Sequence, residues 1–327
     1  MKYPIAHTAR PTLKPLAFGA LAACTLAAFP LSTANAQGAN AFTIKESGES
    51  FGNLQAAVSR IGNARATIEI AAGTYRQCAV QQGGAIRYVA RQAGKVVFDS
   101  ATCEGKAALV LRGQSAEVSG LTFRNMRVGD GNGAGIRLEK GNLTVTQSWF
   151  DKSQQGILTG NDRGGRIVID KVTFSGLGTC ENSAGCAHSI YIGDYGSLKV
   201  SRSRFERGMG GHYLKSRAAR HDITANSFDD ANGRATNYMI DLPAGGTGTI
   251  QQNWFVQGRN KENYSAFIAV GAEQLLHRAD GLKIDGNVAR FVPGLKRGSV
   301  FVADWTGHNL AIGTNELASG LTRYQKR

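Results

Sequence analysis

The chain has 327 residues, with 38 Lys or Arg against 24 Asp or Glu and therefore a formal net charge of +14. Its length and composition agree with one large domain. After the N-terminal segment no apolar stretch is long enough to cross a bilayer, which excludes an ordinary helical membrane protein. The sequence contains no recognisable nucleic-acid-binding motif, so its basic balance predicts a different anionic partner.

Residues 1–36 have the pattern of a secretory signal peptide. A basic start is followed by the apolar run 16–29, and small residues at Ala34 and Ala36 end the segment. A membrane span is the alternative, but the run is too short and is broken by Pro30. We therefore expect export, to the periplasm or the extracellular medium. Removal of the segment takes away Lys2, Arg10 and Lys14 and leaves a net charge of about +11.

Residues 37–62 are predicted to contain a capping helix. Leu54, Ala57, Val58 and Ile61 are spaced at i, i+3, i+4 and i+7, so one helical face is apolar. A strand and turn, ATIEIAAGTYRQC, follow. We expect the helix to cover the open end of a solenoid, because an exposed parallel edge would pair with other chains.

A phrase similar to Leu-x-Val-x-x-Ser-x-Phe recurs along residues 63–320. It alternates apolar and polar residues, as in a strand with one buried face, and a turn rich in Gly, Asn or Asp follows each copy. The copies end at Phe123, Phe150, Phe174, Phe205, Phe228 and Phe255, with weaker copies at Val288 and Leu317. Since the copies all run in one direction, we expect stacked parallel coils; the alternative is a sandwich of antiparallel hairpins.

A second strand phrase lies between successive copies of the first. Its members are GIRLEKG from Gly135, QGILTGN from Gln155, HSIYIGD from His188, GHYLKSR from Gly211, NYMIDLP from Asn237 and AFIAVGAE from Ala266. The predicted fold is therefore all-β, a single-stranded parallel β-helix, which the general preference for right-handed crossovers makes right-handed. The basic tail, residues 321–327, is expected to be disordered.

Four cysteines remain after the signal peptide, an even number in an exported chain. Cys78 and Cys103 lie about one coil apart, so a bridge between stacked coils is reasonable. Cys180 and Cys186 would close the small loop ENSAG. Zinc binding is the alternative, but the spacings match no common zinc finger, and two disulfides are the preferred interpretation.

Unusual polar residues gather in three consecutive second-strand phrases. We align Ile192, Leu214 and Ile240 as a column that faces inward. The next residue of each strand then points outward, which places three residues side by side along the stack: Gly193, Lys215 and Asp241. The same face is predicted to include Arg217, His212 and His188.

Basic residues are also concentrated in this part of the chain. They are Arg202, Arg204, Arg207, His212, Lys215, Arg217, Arg220 and His221. For an exported protein this clustering favours an acidic polysaccharide or an anionic cell envelope as the partner.

The opening FGNLQAAVSRIGNARATIEIAAGTY and the repeated I-x-x-N/S-x-F coils resemble the exported right-handed parallel β-helix proteins of the pectate lyase-like superfamily. The resemblance covers nearly all of the mature chain. The phrases HSIYIG, GHYLKSRA and YMIDLPAGG are similar to bacterial proteins described only as right-handed β-helix repeat proteins. The resemblance implies the fold; the superfamily includes lyases, hydrolases, epimerases and adhesins, so the residues must decide the function.

The predicted face suits β-elimination from a uronic acid polysaccharide, which needs a base of tuned pKa and cations that neutralise the substrate carboxylate. Lys215 is the preferred base and His212 the alternative, while Arg217 is suited to bidentate pairing with a carboxylate. Arg217 would lower the pKa of the lysine and Asp241 would raise it, so the sequence leaves the balance open, and Tyr191 or Tyr213 would protonate the leaving oxygen. The remaining candidates are His188 for catalysis and Arg220, Tyr213, Glu273 and Trp254 for substrate binding.

Three other interpretations remain open. Lys215 beside Asp241 could be an ordinary surface ion pair. Glycoside hydrolysis needs paired carboxylates, which Asp241 could form with Glu273 or with Asp230. A non-catalytic solenoid could instead bind an acidic polymer, with sugar rings stacked on the outward-facing Trp149 and Trp254.

No cofactor or metal is predicted. Pectate lyases hold calcium in an acidic cluster, and the resemblance raises that possibility for Asp229-Asp230 and for the turn GDGNGAG at Gly129. Asp130 and Asn132 are better explained by a Gly-rich turn, because the later acidic ligand of a calcium loop is missing.

Overall fold

The structure is a computed structural model that describes residues 38, 40–182 and 185–327. The predicted signal peptide, residues 1–36, lies outside the described residues. The described chain is a parallel β-solenoid of about nine turns, with one short helix near its N-terminal end. The all-β parallel β-helix predicted from the repeats is therefore confirmed.

The solenoid is built from short strands. The first elements are β1 (Phe42–Ile44), β2 (Ser50–Phe51), α1 (Leu54–Ile61), β3 (Arg65–Ile70), β4 (Gly73–Tyr75), β5 (Ala79–Gln81), β6 (Ala85–Ala90), β7 (Val96–Asp99), β8 (Ala107–Leu111), β9 (Ser115–Ser119) and β10 (Leu121–Arg124). The middle coils contain β11 (Ala134–Leu138), β12 (Asn142–Thr146), β13 (Trp149–Asp151), β14 (Gln155–Thr159), β15 (Asp162–Asp170), β16 (Thr173–Ser175), β17 (Ile190–Ile192), β18 (Tyr195–Ser201), β19 (Arg204–Glu206), β20 (Leu214–Ser216), β21 (Arg220–Thr224) and β22 (Ser227–Asp229). The last coils contain β23 (Ile240–Leu242), β24 (Thr247–Gln251), β25 (Trp254–Gln257), β26 (Ala266–Val270), β27 (Lys283–Asp285), β28 (Val288–Phe291), β29 (Ser299–Asp304), β30 (Ala311–Ile312), β31 (Glu316–Leu317) and β32 (Leu321–Lys326).

These strands form three long sheets along the solenoid axis. Sheet A has the order β2-β1-β3-β6-β9-β12-β15-β18-β21-β24-β27-β30. Sheet B has the order β4-β7-β10-β13-β16-β19-β22-β25-β28-β31, and sheet C has the order β5-β8-β11-β14-β17-β20-β23-β26-β29-β32. Strands of successive coils pair in parallel, whereas β1 pairs with β2 and β3 in antiparallel fashion.

The first repeat phrase forms the core side of sheet B. One buried column contains Phe98, Phe123, Phe150, Phe174, Phe205, Phe228 and Phe255, with ring centroids of neighbours 4.7 to 5.6 Å apart. The six predicted Phe copies are thus confirmed. The weaker copy predicted to end at Val288 was wrong by one residue, because Phe255 pairs with Ala289. Ala289 then pairs with Leu317, the end of the last predicted copy. Ala289 is the buried residue, but its side chain is small, so the larger apolar Val288 beside it was taken as the inward residue.

A column of asparagines fixes the turns that precede sheet B in the later coils. The Nδ2 groups of Asn226, Asn253 and Asn287 donate to the Oδ1 atom of the asparagine one coil further along, at 3.0, 3.0 and 2.9 Å. The last acceptor is Asn315. Buried amides need such partners, so the stack satisfies polar groups inside the coil.

The two ends of the solenoid differ, since helix α1 covers the first coil and the last strand extends sheet C. Helix α1 buries the predicted apolar face, and its N-cap Asn53 accepts a hydrogen bond from the Ala56 N–H group at 2.9 Å. The expectation of a disordered tail was wrong. Residues 321–326 form β32, which pairs in parallel with β29, because main-chain hydrogen bonds to an open strand edge outweigh the polar composition of the tail.

Both predicted disulfides are present. Cys78 is bonded to Cys103, and Cys180 to Cys186. Two disulfides are consistent with an exported protein. In the part of the chain that the structure describes, no helix is long and apolar enough to cross a membrane.

Candidate functional site

The candidate site lies on the outward face of sheet C. In β17, β20 and β23, Tyr191, Lys215 and Asp241 occupy equivalent positions of three consecutive coils. The predicted adjacency of Lys215 and Asp241 is therefore present. The alignment of the first coil was wrong by two residues, since Ile190 and not Ile192 pairs with Leu214. Both isoleucines are buried and alternate with Tyr191, so either register fits the apolar pattern.

A second column of side chains lies three residues before the first on each coil. It contains Gln155, His188, His212 and Tyr238, by extension of the observed strand register. The His188 and His212 rings are 4.8 Å apart between centroids, and the His212 and Tyr238 rings are 5.6 Å apart. The two columns together present imidazoles beside charged groups.

Side chains from both columns line one groove of about 560 Å³. Its chemistry-bearing residues are His188, Tyr191, His212, Lys215, Arg217 and Glu273. Cys186 also lines the groove, and its bond to Cys180 closes the loop beside His188. The structure thus brings together the residues predicted for catalysis, apart from Asp241, which lies beneath the groove surface.

The cations of the groove are paired with carboxylates. Lys215 Nζ lies 3.0 Å from Asp241 Oδ2 and 2.5 Å from Glu273 Oε1. Arg217 donates hydrogen bonds to Glu273 and to the Tyr191 hydroxyl, and its guanidinium carbon lies 5.2 Å from the Tyr191 ring centroid. Two positive and two negative groups therefore balance each other in the free site.

The environment separates the pKa values of these groups. Burial raises the pKa of Asp241 to about 6, against the opposing attraction of Lys215. Burial alone would lower the pKa of Lys215, but the charges of Asp241 and Glu273 outweigh it and raise that pKa above the ordinary value. For Glu273 burial would raise the pKa, yet hydrogen bonding and attraction from Lys215, with the charge of Arg217, lower it. Lys215 is therefore an ammonium cation at neutral pH.

The two histidines are neutral. Burial, with the nearby charges of Lys215 and Arg217, lowers the pKa of His188 to about 3. Burial and the neighbouring His188 hold the pKa of His212 well below its ordinary value. Each imidazole is therefore uncharged at neutral pH, with a lone pair on one nitrogen, and it is a weaker base than an exposed histidine.

Hydrogen bonding assigns the tautomer of His188. Its Nδ1 accepts a hydrogen bond from the His212 backbone N–H at 3.0 Å, so this nitrogen carries no proton. In the His212 ring, Nδ1 lies 3.3 Å from His188 Nδ1 and Nε2 lies 3.5 Å from Asp241 Oδ2, so each ring nitrogen has a neighbour that can accept a proton.

Asp241 supports the site from below. Its side chain is 4% exposed, and its Oδ1 atom has no hydrogen-bond partner among the described residues. A buried carboxylate with an unsatisfied oxygen is costly, which agrees with its raised pKa. Asp241 therefore contacts Lys215 and His212 without lining the groove.

Three predicted substrate-binding residues lie elsewhere. Tyr213 is buried, and its hydroxyl donates to Asp230 Oδ1 at 2.7 Å, so it cannot contact a ligand in the groove. Arg220 begins β21 in sheet A, and the exposed Trp254 lies in sheet B. The basic residues from Arg202 to His221 likewise belong to all three sheets, and His221 is buried. Residues that are close in the sequence can lie on different faces, because each coil of the chain passes through sheets A, B and C in turn.

Other groove residues were missed at the sequence level. Gln155, Asn237 and Glu262 line the groove, and the Oε1 atom of Gln155 is buried with no hydrogen-bond partner in the described chain. The signal that could have found Gln155 is its position two residues before an inward isoleucine, as for His188. Asn237 and Glu262 come from loops, whose path the repeat does not fix.

The acidic residues considered for calcium are separated. Asp230 is buried against Lys261, with Oδ2 3.3 Å from Nζ, whereas Asp130 accepts from the Asn132 backbone N–H in a turn. Within residues 38, 40–182 and 185–327, no group of three or more His, Cys, Asp or Glu side chains has an arrangement that could hold a metal ion.

Comparisons with known proteins add little to this geometry. No protein-family model matches the chain, and no curated protein matches it. A solved structure, Geobacillus virus E2 ORF18, is similar over 83% of this chain, with 13% sequence identity and a TM-score of 0.46. The match covers 56% of that protein, so the chain spans little more than half its length.

Proposed function

We propose that the protein acts on an acidic, uronate-containing polysaccharide by lyase-type β-elimination. The observation that supports this most directly is the grip of Lys215 and Arg217 on the Glu273 carboxylate, next to the neutral His212. Glu273 follows β26 on a loop, and its side chain is 44% exposed. A substrate carboxylate could displace it and take over the same two cations.

In this proposal His212 is the base. The substrate loses the proton on the carbon next to its carboxylate to the unprotonated ring nitrogen of His212, and the electrons of that C–H bond form a carbon–carbon double bond as the glycosidic carbon–oxygen bond breaks. Asp241 stabilises the imidazolium, and the leaving oxygen takes its proton from the Tyr191 hydroxyl. Tyr191 lines the same groove.

Lys215 and Arg217 have an electrostatic role. Because the neighbouring carboxylates raise its pKa and keep it protonated, Lys215 is not assigned the role of the base in this proposal. Its charge and that of Arg217 instead neutralise the substrate carboxylate and the negative charge that develops on it when the proton leaves.

Glycoside hydrolysis is the second candidate. Both Asp241 Oδ2 and Glu273 Oε1 contact Lys215 Nζ, at 3.0 and 2.5 Å, so they lie at most 5.5 Å apart. This separation and the opposite directions of their pKa shifts resemble the acid and nucleophile of a retaining glycosidase. We prefer the lyase reaction because Asp241 is buried beneath the groove and cannot reach a glycosidic oxygen.

Absorbance of the unsaturated product discriminates these reactions. Mature protein would be incubated with a panel of uronic acid polymers, alongside His212→Ala and Lys215→Met. We expect each substitution to reduce the rate about a hundredfold or more. The matched control is Lys199→Met, which removes an exposed lysine of sheet A that contacts Asp222 at 2.8 Å.

Three outcomes would reject the proposal. Full activity of His212→Ala would exclude the proposed base. Release of reducing ends without the unsaturated chromophore would favour hydrolysis. Retention of an acidic polymer without any cleavage, weakened by salt, would favour a non-catalytic binding protein.

A further inference from the structure

The groove continues past Tyr191 into a second cavity. This cavity has a volume of about 300 Å³ and shares Tyr191 and Asn132 with the first. Its other notable residues are Lys106, Arg137 and Leu158. A ligand that fills the first cavity could therefore extend into the second over the Tyr191 ring.

Arg137 lies in the same outward column as the proposed reactive residues. The strand register runs from Arg137 in β11 to Leu158 in β14, then to Tyr191 and to Lys215. Strands stack at about 4.8 Å, so Arg137 is three coils, or about 14 Å, from Lys215 along the axis. Leu158 and Tyr191 form an apolar surface between the two charges.

The Arg137 guanidinium lacks the partners that nearby cations have. Lys106 and Arg112 contact the Glu139 carboxylate at 2.8 and 2.5 Å. Arg137 forms no ion pair within the described chain, and its buried Nε atom has no hydrogen-bond partner there. Asp130 lines the cavity as well, but its Oδ1 accepts from the Asn132 backbone N–H at 3.0 Å.

We infer that Arg137 is an anion-binding subsite, and that the ligand is an oligomer with carboxylate-bearing units that spans from Lys215 to Arg137. The Arg137 guanidinium lines the cavity without a carboxylate partner in the described chain, and a ligand carboxylate would supply one by a charge-assisted hydrogen bond. The identity of the ligand as a uronate oligomer rests on the proposed function. The position of the subsite rests on the column register and the unpaired guanidinium.

Binding affinity as a function of oligomer length tests the subsite. Calorimetric titrations would use uronate oligomers from the disaccharide upward, with wild-type protein, Arg137→Gln and Arg137→Lys. The matched control is Arg166→Gln, an exposed arginine of sheet A. Thermal unfolding of each variant would establish that it is folded.

We expect wild-type affinity to rise once an oligomer is long enough to span three coils. Arg137→Gln should remove that gain, about tenfold in Kd, and leave the disaccharide unchanged, while Arg137→Lys should retain part of it. An Arg137→Gln variant that binds long oligomers as tightly as wild type would overturn the inference, as would an equal loss at every length.

The two proposals fail in distinguishable ways. Oligomers that bind with this length dependence but are never cleaved would reject lyase activity and leave the subsite intact. Cleavage of oligomers with an affinity that does not depend on Arg137 would support lyase activity and reject the subsite. If no uronate oligomer binds, both proposals fail.

Discussion

Replacement of Glu273 by Gln tests whether this carboxylate occupies the place of a substrate carboxylate. Glu273 contacts Lys215 at 2.5 Å and also Arg217, but its side chain is 44% exposed, so solvent weakens both contacts. A charge-assisted hydrogen bond contributes about 1.5–3 kcal/mol when shielded from water. Since solvent screening reduces this contribution, we expect displacement of Glu273 to weaken ligand binding by about 1.4 kcal/mol, or about a factor of ten in Kd.

The assay is calorimetric titration of a uronate oligomer at low salt. Glu273→Gln should bind about tenfold more tightly than wild type, because Arg217 then lacks a carboxylate partner, Lys215 keeps only Asp241, and the amide keeps the size of the side chain. Glu316→Gln is the matched control, since Glu316 is an exposed carboxylate in sheet B that contacts Arg290, and its removal should leave Kd unchanged. Unchanged or weaker binding by Glu273→Gln would refute the reasoning and indicate that Glu273 itself contacts the ligand.

Three further predictions concern stability. Lys261→Met should lower the free energy of unfolding by about 3–5 kcal/mol, because it leaves the buried Asp230 carboxylate without its cation. Urea denaturation measures this loss. The double variant with Asp230→Asn should recover part of it. His221→Gln should make the protein less sensitive to acid, because burial lowers the pKa of His221 to about 3. The contribution of the neutral imidazole to the free energy of unfolding is fully present above pH 6.5. It is lost as the pH falls from 6.5 towards 3, at about 1.4 kcal/mol per pH unit. Denaturation at pH 7.5 and 5 should show a wild-type loss about 2 kcal/mol larger than that of the variant, and identical losses would contradict the assignment. Phe174→Ala should lower the free energy of unfolding by about 3–5 kcal/mol in thermal or urea denaturation. The ring is buried, and its centroid lies 5.1 Å from that of Phe150 and 4.8 Å from that of Phe205. A loss below about 1 kcal/mol would mean that the neighbouring rings move to fill the cavity.

The groove also shows how far a repeat can guide function. Lys215 and Asp241 were predicted as neighbours because one strand phrase repeats with a period of two, and the structure pairs them directly. Glu273 was expected as a substrate-binding residue or the partner of Asp241 in hydrolysis, but its contacts with Lys215 and Arg217 depend on the path of the loop after β26. No periodicity describes that loop.

The sequence by itself determined the solenoid, the inward Phe column, the capping helix and the pairing of the cysteines. These features depend on local alternation of apolar residues and on short separations along the chain, which are visible in the sequence. Only the tertiary structure decided that Lys215 is held protonated between Asp241 and Glu273, that His212 is neutral, and that Tyr213 is buried. The charge of a buried group depends on its distances to other charges and on the exclusion of water, and both arise only when separate coils are stacked.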